Sequence, residues 1–360
     1  MLSGKRVIVV GLKKSGIAAA RLCQAEGARV LGTDKDARDK LTPELFELGI
    51  ELVAGGHQGV DFAGADLIVV SPGVPALPEL VAAEQKGVEI IGELELACRR
   101  ITAPVVAVGG TNGKSTTTTL IGALAEAAGL RTFVGGNLGT PASDAVGKGH
   151  ELVVLEVSSF QLERAPRFRP RVSLLLNVTE DHLDRYPDFA AYARAKGNAF
   201  VNQTSDDFAI IPEGDSICEA EARRGQARIL RFGESADYAV DASGVVESAT
   251  GQRFDLGESR LFGRHNYENA AAAIAAARAL QIQPEAVRSG LRAFQPLPHR
   301  MALAGQIGSV RFYDDSKGTN VGAAVTALLG LAEPRGVLIA GGRDKQGSYT
   351  PLIDALSLKG

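Results

Sequence analysis

The sequence predicts an α/β protein built from parallel sheets covered by helices. Three observations carry that expectation. Continuous apolar runs, such as Arg6-Val-Ile-Val-Val10 and Pro104-Val-Val-Ala-Val108, alternate with Ala- and Leu-rich helical stretches, the pattern of strands buried on both faces. Both of these runs enter glycine-rich turns that open helices. Between 227 and 261 the pattern changes to short alternating pieces with Gly and Ser turns, which predicts a small antiparallel sheet.

Taken in order, the strand 6–10 leads through a glycine turn into a helix over 17–26. A strand at 28–31, a helix at 43–48 and a strand at 65–70 follow, and this first block ends near Glu93. The run at 104–108 starts a second block, with later strands at 152–155, 172–176 and 208–211. The Ala-rich stretch 266–280 is expected as a helix, and Pro296, Leu297 and Pro298 as a linker. Beyond it, 310–313 and 336–340 are expected as two more parallel strands around a helix at 322–331, with a last helix over 349–358. The expected domains are therefore 1–93, 94–296 and 297–360. The last has only about 60 residues, close to the marginal size for an independent core, and is expected to be incomplete.

A chain of 360 residues exceeds one ordinary core. Its 45% hydrophobic and 22% charged content places it among soluble globular proteins. Lys and Arg total 39 against 42 acidic residues, which excludes a global basic field for nucleic acid and leaves room for a local phosphate site. Cys23, Cys98 and Cys218 are widely spaced and odd in number, as suits a reducing cytoplasm. The N-terminus has no signal-peptide core, and no apolar stretch approaches the roughly 18 residues of a membrane span. The chain is read as a cytoplasmic monomer with no membrane partner.

The sharpest motif is Val108-Gly-Gly-Thr-Asn-Gly-Lys-Ser-Thr116, which follows a buried strand and opens a helix. Backbone N–H groups of such a turn point at phosphate oxygens. Lys114 would neutralise the outer phosphates, and the Ser115 hydroxyl would help to hold Mg²⁺. This makes the second block a P-loop-type ATPase domain, although Val108 stands where the strict pattern has its first Gly. A purely structural turn is the competing reading, disfavoured by Lys and Ser at the helix start. The N-terminal Gly11-Leu-Lys-Lys-Ser-Gly16 suggests a Rossmann-like domain, with Lys13 in place of the middle Gly and Asp34 at the end of the second strand. A Rossmann-type turn without a ligand is a serious alternative there. Glu156 ends a strand, as a Mg²⁺ ligand would, though a strand-end Glu is more often a solvated or capping group. His182, among Glu180, Asp181 and Asp184, is a metal-ligand candidate of the same standing as a structural His. Spacing alone makes Lys196 a surface lysine.

Together these segments resemble the Mur ligases, the amide-bond-forming enzymes of bacterial cell-wall synthesis, and more distantly folylpolyglutamate synthetase. The finer matches are to the D-glutamate-adding branch of the family. They are Ser71-Pro-Gly73, Gly135-Gly-Asn-Leu-Gly139, Leu155-Glu-Val-Ser-Ser-Phe-Gln-Leu-Glu163 and Asn177-Val-Thr-Glu-Asp-His-Leu-Asp-Arg-Tyr186. His265-Asn-Tyr-Glu-Asn269, Leu297-Pro-His-Arg300 and Asp314-Asp-Ser-Lys-Gly-Thr-Asn320 complete the collinear series. The resemblance implies an ATP-dependent ligase that adds D-glutamate to UDP-N-acetylmuramoyl-L-alanine through an acyl phosphate. It assigns UDP-substrate binding to 1–93, ATP to 94–296 and the amino acid to 297–360, the last again Rossmann-like.

Residue by residue, the resemblance implies that Gly110, Thr111, Asn112, Gly113, Lys114, Ser115 and Thr116 hold ATP phosphates. Asn266, Asn269, Arg300, Asp315 and Lys317 are implied as further ATP contacts. Two Mg²⁺ ions are implied, on Ser115, Glu156, His182 and Lys196, the lysine carrying a CO₂-derived carbamate. Lys114, Lys196, His182 and Glu156 form the implied catalytic set. Lys14, Ser15, Asp34, Lys35 and Ser71 would lie towards the uridine end of the substrate, and Asn137, Ser158 and Gln161 at its muramoyl part. Thr319 and Lys345 would meet D-glutamate. Family members continue for most of another half-domain, so the chain is expected to bind the UDP substrate but to ligate D-glutamate poorly. A ligase for another amino acid, a nicotinamide-dependent dehydrogenase using the N-terminal turn, and a binding-only form remain as alternatives.

Overall fold

The computed structural model describes residues 2–261, 263–331, 333–342 and 348–359. The fold divides into two compact units, one of residues 1–105 and 133–169, the other of 106–132 and 170–360.

The first unit opens with β1 (Arg6–Val10), α1 (Lys14–Ala25), β2 (Arg29–Asp34), α2 (Pro43–Glu47) and β3 (Glu51–Ala54). It continues with β4 (Leu67–Val70), α3 (Pro78–Gln85), β5 (Glu89–Gly92) and α4 (Glu93–Cys98). The five strands form one all-parallel sheet in the order β3-β2-β1-β4-β5, the doubly wound order expected of a Rossmann-like domain. β1 and β4 have side chains in two cores, Val7, Val9, Leu67 and Val69 in one, Ile8, Val10, Ile68 and Val70 in the other. Burial on both faces is why these strands read as unbroken apolar runs.

The second unit supplies β6 (Val105–Gly109) and α5 (Lys114–Ala127), and the chain then returns to the first for β7 (Thr132–Gly136), its neighbour β8 (Leu152–Glu156) and the short α6 (Ser159–Leu162). From there the chain stays in the second unit. β9 (Val172–Leu175), α7 (Phe189–Gly197), β10 (Phe208–Pro212), α8 (Ser216–Ala222) and β11 (Arg228–Gly233) precede β12 (Tyr238–Val240), β13 (Gly244–Glu247) and β14 (Gln252–Asp255). The unit's seven strands lie in the order β14-β13-β12-β11-β10-β9-β6. β6 to β12 pair parallel, and only β12, β13 and β14 pair antiparallel. The antiparallel part expected over 227–261 therefore extends the main sheet, and its first strand, β11, belongs to the parallel portion. α9 (Arg264–Ala279) packs against α5 and the sheet, and residues 270–277 are wholly buried. Alanine suits such a helix, since it favours helix and is small enough for close approach on every side. α10 (Pro284–Ala293) packs on α5 so closely that a Cβ on Gly290 would stand 2.9 Å from Leu124 Cα.

The last segment corrects an expectation. β15 (Ala302–Ile307) and β16 (Val310–Asp314) form an antiparallel hairpin, followed by α11 (Val321–Gly330) and α12 (Thr350–Lys359). The run at 310–313 is therefore not a parallel strand, because its partner is the adjacent strand across a two-residue turn. Residues 336–340 form no strand, and Val337 and Ile339 are 94% and 93% exposed. An apolar run becomes a strand only where a neighbour accepts its hydrogen bonds. Among the described residues no helix is long and apolar enough to cross a membrane.

Candidate functional site

The phosphate loop of the second unit runs from the end of β6 to the start of α5. Gly110 and Gly113 have φ of +140° and +83°, a region that side-chain-bearing residues rarely enter. A Cβ on Gly113 would also stand 2.3 Å from Asn269 Oδ1. The loop is pinned from the end of β9. Asn177 Oδ1 accepts from Thr111 N at 3.1 Å and from Asn112 N at 2.9 Å, and Asn177 Nδ2 donates to Asn112 O at 3.2 Å. Thr111 Oγ1 donates to Thr179 O at 3.2 Å and accepts from Thr179 N at 3.1 Å. Held this way, the loop leads into the first turn of α5, a helix N-terminus that favours an anion. Thr116 lies in that turn, buried.

Three cations stand on this loop. Lys114 Nζ donates to Thr111 O at 2.8 Å, and an Arg300 guanidinium nitrogen donates to Ser115 Oγ at 2.8 Å. Lys196 Nζ donates to Gly110 O at 2.7 Å and lies 4.6 Å from the Tyr192 ring centroid. Lys196 is 4% exposed, so the surface position that spacing suggests is wrong. α7 turns this residue inward, and the partner atom lies 86 positions away in sequence. Tyr192, itself buried, brings its hydroxyl within 3.3 Å of Thr111 Oγ1. Burial pushes its phenol up to about 12, which keeps it protonated.

His182 has a left-handed backbone, φ +56°, and its Nε2 lies 3.7 Å from Asp181 Oδ2. Asp181 Oδ1 accepts from His182 N at 3.0 Å. Asn269 Nδ2 reaches Asn266 Oδ1 at 3.4 Å. Asp315 Oδ1 accepts from Met301 N at 3.0 Å, and burial raises its pKa. Lys317 and Thr319 are exposed, and Lys345 lies outside the described residues.

In the first unit the glycine turn after β1 is closed by its own side chains. Asp34 Oδ2 accepts from Leu12 N at 2.5 Å, and Ser71 Oγ donates to Gly11 O at 2.6 Å. Lys14 and Lys35 are exposed beside it, and Ser15 is half-buried. Elsewhere in this unit Asn137 Nδ2 donates to Glu156 Oε1 at 2.7 Å, and Asn137 N to Glu156 O at 2.8 Å. Ser158 and Gln161 form a capping box on α6, each satisfying the other's backbone. Among the described residues no three His, Cys, Asp or Glu side chains group as a metal site.

Residues 5–92 match the Mur ligase MurD-like N-terminal domain, and residues 108–277 the Mur ligase middle domain. A UDP-N-acetylmuramoylalanine--D-glutamate ligase of Anaeromyxobacter dehalogenans is 47% identical, over 98% of this chain and 80% of the relative. One of Geobacter metallireducens is 45% identical over the same shares. The chain belongs to the Mur ligase family. Solved structures agree in fold. A murein peptide ligase of Psychrobacter arcticus superposes with a TM-score of 0.59 at 21% identity, covering 91% of this chain and 76% of that one. The UDP-N-acetylmuramate-alanine ligase of Thermotoga maritima gives 0.56 at 22% identity, covering 91% and 77%.

Within this Mur ligase, Tyr192, Asn177, Asp181 and Asn320 are site residues that the sequence reading did not assign. Asn177, Asp181 and Asn320 stand inside the quoted motifs, beside residues that were chosen. Tyr192 stands four positions before Lys196, one helical turn, and that spacing was the available signal.

Proposed function

We propose that this chain uses ATP to join D-glutamate to UDP-N-acetylmuramoyl-L-alanine in peptidoglycan precursor synthesis. The single observation that carries the chemistry is the gathering of Lys114, Lys196 and Arg300 on the loop at the start of α5. The acceptor and amino acid follow from relatives of that name, collinear over 98% of the chain. Residues 94–296 are assigned to ATP, 1–93 to the UDP substrate, and 297–360 to the amino acid.

The substrate carboxylate attacks the γ-phosphate of ATP and ADP leaves, giving an acyl phosphate. The D-glutamate amine then attacks the acyl carbon, loses its proton and expels phosphate to leave the amide. Carboxylate and phosphate are both anionic, so Lys114 and Arg300 lower the barrier by offsetting charge where it develops. Ser115, Glu156, His182 and a carbamylated Lys196 are assigned as ligands of two Mg²⁺ ions, which would supply further positive charge to the phosphates. The hydroxyl, carboxylate and carbamate oxygens suit a hard cation, and the His182 imidazole is the softer member of the set. Gly110 and Gly113, at φ of +140° and +83°, give the loop the backbone shape of a phosphate-binding turn. Asn266, Asn269, Asp315 and Lys317 are assigned to the rest of ATP. Asp34, Ser71, Lys14, Ser15 and Lys35 are assigned to the uridine end, and Asn137, Ser158 and Gln161 to the muramoyl part. Thr319 and Lys345 are assigned to D-glutamate. The three free cysteines support a cytoplasmic location.

Incubation with UDP-N-acetylmuramoyl-L-alanine, ATP and each candidate amino acid tests this, with phosphate and amide both followed. Amide formed with D-glutamate in preference to L-alanine or a diamino acid supports the proposal. Preference for another amino acid, or ATP binding without turnover, rejects it.

A further inference from the structure

Asn320 uses both ends of its side-chain amide. Its oxygen accepts from Ala323 N at 2.8 Å, which caps α11. Its Nδ2 donates to Asn112 Oδ1 at 3.0 Å and reaches Asp181 Oδ2 at 3.4 Å. Asn112 belongs to the phosphate loop, 208 positions away in sequence. Asp181 carries the backbone N–H of His182. One side chain thus touches the loop, the segment after β9 and the helix that follows Asp315, Lys317 and Thr319. The approach is tight: a Cβ on Gly322 would stand 3.2 Å from Asn112 Nδ2 and 3.5 Å from Thr179 Oγ1. A residue serving only as a cap needs an acceptor, and Ser or Asp supplies one equally well. An amide adds a donor at the other end, and here that donor faces the loop.

We infer that Asn320 is a positioning residue that couples nucleotide occupancy of the phosphate loop to the placement of the 315–319 segment. The inference rests on the assignment of ATP to that loop. A phosphate seated at the start of α5 acts on the backbone around Asn112, and the Asn112–Asn320 hydrogen bond carries the change to the first turn of α11. A ligand shifts a conformational equilibrium only through contacts that differ between the states, and in this inference that role falls to the two Nδ2 contacts.

Asn320→Ser separates coupling from capping, because it keeps an oxygen at the cap and removes the donor. Asn320→Ala removes both. Amide hydrogen exchange of the full chain, with and without Mg-ATP, reads the coupling directly. In the wild type ATP slows exchange at 110–117 and also at 321–326. In Asn320→Ser the loop stays protected by ATP, while the ATP-dependent slowing at 321–326 falls by about fivefold or more. Exchange there without nucleotide is unchanged in Asn320→Ser and faster in Asn320→Ala. Steady-state rates sharpen the reading, since lost coupling raises the KM for D-glutamate more than that for ATP, whereas a merely less stable protein loses kcat alone. Full ATP-dependent protection of 321–326 in Asn320→Ser overturns the inference. If ATP protects no amide of 110–117 in the wild type, the ATP assignment itself falls, a result distinct from failure at Asn320.

Discussion

The two glycine-rich turns of this chain share a strand–turn–helix outline and differ in what fills them. Between β1 and α1 a buried carboxylate, Asp34, takes the Leu12 N–H, and Ser71 holds the Gly11 carbonyl. Between β6 and α5 a neutral amide, Asn177, takes the Thr111 and Asn112 N–H groups, and three cations stand on loop atoms. A carboxylate already seated in the first turn disfavours phosphate there, while the Lys114 and Arg300 cations beside the second attract it. Glycine spacing sets the backbone shape of such a turn. The side chain that arrives from the next strand sets the charge of the ligand it accepts.

That contrast breaks if the two turns respond alike to loss of a lysine. Lys114→Ala is expected to lower ATP turnover by about 10²-fold or more, with Lys14→Ala altering only affinity for the UDP substrate. Phosphate-release kinetics on both variants decide it, and equal losses would end the distinction. Lys196→Ala is expected to be nearly inactive, because the buried amine on Gly110 O is the assigned carbamate site. A short carboxylic acid in solution should restore part of the rate by filling the vacated position. Full activity without it would remove the carbamate from the account.

Backbone shape separates the turns next. A Cβ on Gly16 would stand 1.8 Å from the Gly11 carbonyl oxygen, a backbone atom that cannot give way, whereas one on Gly113 meets the Asn269 side chain and adds only the strain of its φ of +83°. Gly16→Ala should therefore cost about 3 kcal/mol in denaturant unfolding and exceed the loss from Gly113→Ala. The reverse order would mean that the second turn is the more rigid of the two. Asp34→Ala leaves the Leu12 N–H buried without its acceptor, a loss of about 1–3 kcal/mol. Asp34→Asn keeps an acceptor oxygen and should lose less.

The smallest effect comes from Glu93, another buried acid of the first unit and a foil to Asp34. Asp34 accepts N–H groups on both oxygens, from Leu12 and Asp36. Glu93 Oε1 accepts from Ser143 N at 2.6 Å, while its buried Oε2 has no hydrogen-bond partner. Burial therefore holds the Glu93 pKa above its ordinary 4.5. The folded state keeps this proton longer than the unfolded state does, so the group's contribution is complete below about 4.5 and declines as pH rises towards the raised value. Glu93→Gln does not titrate, and its Tm should gain on the wild type between pH 4.5 and neutrality. A constant difference across that range would show that Glu93 titrates normally.

Much of this was legible in the chain itself. Unbroken apolar runs marked β1, β4, β6, β8, β9 and β10, because strands buried on both faces have no polar alternation to hide them. β3, β5 and β7 were missed. β3 and β7 are only partly buried for most of their length, and β5 is exposed at its first residue, so they lack that signature. The Ser158-x-x-Gln161 spacing is a local capping signal. Family resemblance reads the pair as a substrate contact, and the structure shows both side chains engaged with each other and the α6 backbone. The 336–340 run shows the opposite failure, β-branched composition with no strand beside it.

By itself the sequence determined the local elements and the shapes of the two turns, and its motif order identified the family. Those properties depend on residues within one or two helical turns of each other, where periodicity and glycine placement act directly. Only the tertiary structure decided that Lys196 leaves the surface for the Gly110 carbonyl and that Asn320 meets Asn112. It also decided that Asp34 occupies the first turn from within. Each of those partners lies 22 to 208 positions away. Packing of helices, loops and strand ends against one another brings such residues together, and no spacing along the chain records which side chains will meet.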